Sequence, residues 1–173
     1  MATTYTLISS NVLTSSATSV TFSSIPQTYT DLVVRMSIRK DTSNSTVFVR
    51  FNGVTTSSYD YNDIQGTGSV TGVAQSIYSY SQLPGGNNMD TDLASTFSNT
   101  EMYIPSYTSS ARKQISSNVA RENNTTTSAG NNVGGVAGQA VDVTSGITSI
   151  LISTISANWV AGSSFYLYGI KNS

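Results

Sequence analysis

Between Leu32 and Arg39 the residues alternate without a break. Leu32, Val34, Met36 and Ile38 fall on one side, and Val33, Arg35, Ser37 and Arg39 on the other. A period of two is that of a pleated strand laid on a core, and a helix cannot present such a pattern on one face. Shorter versions recur along the chain. TYTLIS puts Tyr5 and Leu7 together, and SVTFSSI puts Val20 with Phe22 and then Ile25. STVFVRFNG aligns Val47, Val49 and Phe51, NTEMYIPSY sets Met102 and Ile104 against Tyr103, and KQISSNVARE turns Ile115 and Val119 inward. The link KDTSN is turn-forming, so the strands around Met36 and Val49 are expected to form a hairpin.

The remaining segments are less regular. ITSILISTI alternates poorly, as a strand buried on both faces would. GGVAGQAVDVT reads as a strand weakened by glycine. SYDYNDIQGTGSV reads as loop and irregular strand, and GVAQSIYSYSQL as containing a strand ended by the turn PGGNNMD. MDTDLASTFS is compatible with a single helical turn capped by Asp90 or Asp92. The sum is about eight to ten short strands at the spacing of sandwiches and barrels. The expected fold is all-β: an antiparallel β-sandwich, jelly-roll-like, in one domain spanning residues 1–173.

Charge is scarce. Eight basic and nine acidic residues leave a net charge of −1, and only 10% of the chain is charged. That provides no electrostatic grip on nucleic acid or an anionic membrane, so neither is an expected partner. It also removes the repulsion that keeps copies apart. Ser, Thr, Asn and Gly replace the charges, a composition typical of proteins that work outside cells. No run is apolar for long enough to span a bilayer as a helix. MATTYTLISS lacks the layout of a signal peptide, so synthesis in a host cytoplasm without general export is expected.

The chemistry is equally sparse. The sequence has no Cys and no His. Ser-His-Asp and Cys-His sets and the common zinc ligands are therefore absent. A paired-carboxylate hydrolase could draw only on Asp60, Asp63, Asp90 or Asp92, which read better as turns and caps. The glycines at Gly66 and Gly68 and at Gly134, Gly135 and Gly138 do not frame a phosphate loop. Arg35, Arg39 and Arg50 could form a small basic stripe for a carboxylate partner. No catalytic activity, cofactor or metal is expected.

The run SSFYLYGIK is different. Phe165, Leu167 and Gly169 fall on one face, and Tyr166, Tyr168 and Ile170 on the other. Neither face suits full exposure, so a core takes one and a loop or a neighbouring subunit is expected to cover the other. Tyr166, Tyr168, Ile170 and Trp159 are the candidate contacts with a second subunit or a larger assembly. Exposed Tyr59, Tyr61 or Trp159 would suit a sugar-binding alternative.

Several segments together resemble small β-rich structural proteins of tailed phages. They are YTLISSNVLTSSATSVTFSSIPQTYTDLVVRMSIR, VFVRFNG, TFSNTEMYIPSY and SSFYLYGIKNS. The resemblance implies a non-enzymatic virion protein, and proteins of this kind resemble jelly-roll cement or decoration proteins of the capsid. On that reading the partners are the major capsid protein and two further copies in a homotrimer, and the location is the virion. A tail-fibre tip, receptor-binding or carbohydrate-binding module is the alternative.

Overall fold

The computed structural model describes residues 4–42, 46–55, 59–66, 71–78, 81–82, 94–121, 134–141 and 143–172, with backbone alone at 60–66, 71–78, 81–82 and 134–141. The strands are β1 (Thr4–Val12), β2 (Ser19–Phe22), β3 (Asp31–Ile38), β4 (Val47–Phe51), β5 (Tyr59–Gly66), β6 (Thr71–Tyr78), β7 (Ser81–Gln82), β8 (Ser98–Ile104), β9 (Lys113–Ala120), β10 (Gly134–Val141), β11 (Ile150–Thr154) and β12 (Ser164–Lys171). They form two antiparallel sheets. The larger has the order β1-β12-β3-β8-β9-β10-β5-β6 and the smaller β2-β11-β4-β7. Together they make an antiparallel β-sandwich.

The alternation seen in the sequence produces the core. Leu32, Val34, Met36 and Ile38 of β3 are buried with Met102 and Ile104 of β8, Ile115 of β9 and Phe165 and Leu167 of β12. Facing them from the smaller sheet are Val20 and Phe22, Val47, Val49 and Phe51, and Ile150 and Ile152. Each such side chain contributes about 1.5–3 kcal/mol by leaving water. That supplies the main attraction between two layers that share no strand pairing.

Three expectations from the sequence are corrected. First, β3 and β4 are not a hairpin. β3 pairs with β12 and β8, whereas β4 pairs with β11 and β7 in the other sheet. The chain passes to the other sheet after Asp41, whose carboxylate accepts the Asn158 backbone N–H at 2.8 Å and its amide at 2.7 Å. Second, β11 is buried on one face only: Ile150, Ile152 and Thr154 point inward, while Leu151 and Ser153 are half-exposed. Its imperfect pattern came from Leu151, an apolar residue on the outer face, where isolated apolar side chains are common. Third, the span read as loop and irregular strand, SYDYNDIQGTGSV, holds a regular strand, β5, paired with β6, the strand expected in GVAQSIYSYSQL, in continuous register from Tyr59↔Tyr78 to Gly66↔Thr71. Polar strands of this kind carry little period-two signal. Asp90 and Asp92, with the helical turn they would cap, lie outside the described residues.

β12 is anchored on both edges, by β1 from Thr4↔Lys171 to Val12↔Ser164 and by β3 from Ile170↔Asp31 to Ser164↔Ser37. Beyond it, Asn172 donates its backbone N–H to Thr30 Oγ1 at 3.1 Å and its amide to Asp31 Oδ2 at 2.9 Å.

Candidate functional site

The outer face of the larger sheet gathers most of the residues singled out in the final strand. Directly opposed residues of antiparallel strands share a face, so the register can be read as rows. One row runs Leu7, Tyr168, Val33, Tyr103, Ser116. The next runs Ser10, Tyr166, Arg35, Glu101, Asn118. Val33 is buried although it lies on the outer side. Its register neighbours are Tyr168 and Tyr103, large rings that can close over a small side chain between them. Much of the cover expected for the outer side of β12 thus comes from its own sheet.

Arg35 organises the second row. Its Nε donates to Glu101 Oε2 at 2.7 Å, with the two side chains 52% and 40% exposed. The guanidinium lies 5.5 Å from the ring centre of Tyr5 and 5.9 Å from that of Tyr168, so the two rings hold it by cation–π attraction. The Glu101 hydrogen bond, ahead of any other influence, raises its pKa further. Beside this pair is a shallow depression of about 450 Å³ lined by Arg35, Asn99, Glu101, Asn118, Val119 and Ala120.

The edge of this sheet has a different character. Among the described residues β1 pairs with β12 alone. It holds no charged residue from Thr4 to Val12. Tyr5, Leu7 and Val12 are 50%, 52% and 55% exposed. A shift of register between Leu7 and Ser9 turns Ile8 partly against the core. Charges, prolines and covering loops are the usual protection for such an edge, and β1 has neither charge nor proline.

The other candidates fall elsewhere. Trp159 is fully buried, packed edge-on to Phe165 with ring centres 5.6 Å apart. It is therefore neither a surface contact nor a sugar platform. Its flanking backbone bridges Ala17 and Lys40, which draws the ring inward. Ile170 is also buried, so its side chain is withdrawn as a contact. Tyr166 and Tyr168 remain half-exposed. Tyr59 is buried, with its hydroxyl accepting the Phe51 N–H at 3.0 Å, and so is unavailable to a ligand. Tyr61 lies further along β5, within residues 60–66, where only backbone is described.

The arginine stripe does not form. Arg35 is on β3 in the larger sheet, Arg50 stacks 4.9 Å from Phe48 in the smaller one, and Arg39 is buried. Asp60 and Asp63 sit on β5 opposite Ala140 and Ala137. Among the described residues no group of three His, Cys, Asp or Glu could hold a metal. No helix there is long and apolar enough to cross a membrane. The row Tyr166, Arg35, Glu101, Asn118 escaped the sequence reading because its members come from β12, β3, β8 and β9, and only the register unites them.

The class these features define is the antiparallel β-sandwich with an aromatic and polar outer face. No family model matches the chain, and no curated protein or solved structure does either.

Proposed function

We propose that this protein is a non-enzymatic structural component of a tailed-phage virion, a cement or decoration protein bound to the outside of the head. The observation that carries the reading is the edge strand β1, uncharged over its length and exposing Tyr5, Leu7 and Val12. Such an edge offers backbone donors and acceptors to an adjoining chain. It suits attachment inside a fixed assembly better than life as a free monomer.

The strand order supports the jelly-roll reading. The sets β1-β12-β3-β8 and β2-β11-β4-β7 are two facing groups of four, and among these eight the chain crosses between the sets at every step except from β4 to β7. In this view β5–β6 and β9–β10 are hairpins added to the larger sheet. The proposed assembly is a homotrimer on a threefold junction of the major capsid protein, since a heterologous contact of this kind can close into a ring. Binding the assembled shell and not loose capsid subunits would stabilise the head by mass action. The contact assigned here is the β1 edge with Tyr5, Leu7 and Tyr168.

The test is a virion reconstruction, paired with cosedimentation of purified protein and capsids. Density over the head, with the β1 edge against a neighbour, is the expected outcome. The double variant Leu7→Lys with Tyr168→Ser should remain folded, because both side chains are at least partly exposed, yet leave the capsid pellet. Density confined to the tail or fibre tip would overturn the proposal.

A further inference from the structure

We infer that the outer face of the larger sheet carries a binding site for a neutral oligosaccharide, centred on Arg35 and Glu101. The site faces another way from the β1 edge, although Tyr5 and Tyr168 border both. An edge contact extends the sheet sideways, whereas this face looks outward along the sheet normal. The backbones of Arg35 and Glu101 are two and three strands in from that of β1, about 10–14 Å away at the usual strand spacing, although the Arg35 guanidinium reaches back to the Tyr5 ring. The inference therefore holds for placement on the head or on the tail.

Four features specify the ligand class. The depression of about 450 Å³ is in the range of small-ligand sites and large enough for one or two sugar rings. Its lining supplies planar polar groups: the Arg35 guanidinium, the Glu101 carboxylate and the amides of Asn99 and Asn118. These present paired donors and acceptors, which suit neighbouring hydroxyls on a pyranose. Arg35 and Glu101 cancel each other's charge through their 2.7 Å contact. A carboxylated or sulfated chain would have to compete with Glu101, and a cation with Arg35, so a neutral ligand is favoured. Tyr166 stands next to Arg35 in the same row, half-exposed, and offers a ring on which an apolar sugar face can lie.

Preorganisation strengthens the case. Arg35 is already held by Glu101 and by the rings of Tyr5 and Tyr168, so little side-chain freedom is left to lose on binding.

The experiment uses the full chain on an array printed with neutral, sialylated and uronate-containing oligosaccharides. Titration calorimetry follows, with the neutral oligosaccharide retained best. Neutral glycans should bind. Arg35→Met and Glu101→Gln should each weaken that binding by about tenfold or more, the usual effect of removing a charge-assisted contact, and Tyr166→Ser should weaken it by removing the ring on which the sugar lies. Circular dichroism checks that each variant is folded. Leu7→Lys, on the edge strand, should bind as the parent does. Four outcomes would overturn the proposal: no binding at millimolar glycan, retention of anionic glycans alone, affinity unchanged in all three variants, or self-association in solution that Tyr166→Ser abolishes.

Discussion

A methyl group on Gly169 would stand 2.3 Å from Cγ of Tyr29, inside the wall of its ring. Gly169 lies on β12 opposite Leu32 and Thr6. The ring of Tyr29 takes the place where a side chain would go, and packs on the core from there. Gly169→Ala should therefore destabilise the fold by about 1–3 kcal/mol, the usual range for overpacking. Thermal unfolding would show this as a lower Tm. Adding Tyr29→Ala should recover part of the loss, and a double variant no more stable than the single would refute the clash as its cause.

Tyr103 should be among the last tyrosines to ionise. Burial first, and then donation of its hydroxyl to Asp31 Oδ2 at 2.9 Å, push its pKa from 10.0 up to about 12. The folded state thus holds this proton more tightly than the unfolded chain does. The associated stabilisation is complete below pH 10 and is lost as pH rises from 10 towards 12. An absorbance titration of phenolate should resolve a late step that moves to lower pH in Asp31→Asn. The step should stay above the ordinary tyrosine value there, because burial persists.

Asn52 should tolerate no simple replacement. It and Gly53 have φ of 53° and 69°, and Val54 donates its N–H to Phe51 O at 3.0 Å, closing an Asn-Gly turn in the left-handed region. The side chain also fastens the loop before β11. Its Oδ1 accepts the N–H groups of Thr148 at 2.8 Å and Ser149 at 3.2 Å, and its amide donates to Gly146 O at 2.9 Å. Asn52→Gly keeps the backbone and loses these bonds, while Asn52→Ala loses both. Denaturant unfolding should rank Asn52→Ala below Asn52→Gly, with losses of about 1–3 kcal/mol. Equal losses would mean that the turn conformation is unimportant here.

The sequence made the sandwich legible wherever one face was apolar and the other polar. β3, β8 and β9 follow their residue patterns, because burial of Met36, Met102 or Ile115 depends on local period alone. Pairing was less legible. The false hairpin between β3 and β4 arose from a good turn sequence in KDTSN, although the partners were decided by distant strands. The candidate site had the same difficulty, since Arg35 and Glu101 are 66 residues apart. Trp159 is different: a lone tryptophan suits either a core or an interface, and its backbone bridges to Ala17 and Lys40 place it inside.

That placement makes Trp159 a reporter of the core and not of the surface. It is the sole tryptophan, fully buried beside Phe165, and among the described residues its Nε1 has no acceptor. Its fluorescence should be blue-shifted, resist quenching by iodide and shift to the red in a single step with denaturant. Binding of oligosaccharide on the outer face should leave the emission unchanged, because Trp159 packs in the core on the inner side of the larger sheet. Trp159→Phe would leave a void and should destabilise by about 2–4 kcal/mol, offset in part by removing an unpaired buried N–H. Ready quenching by iodide in the native protein would contradict the packing described here. It would also return Trp159 to the list of surface contacts.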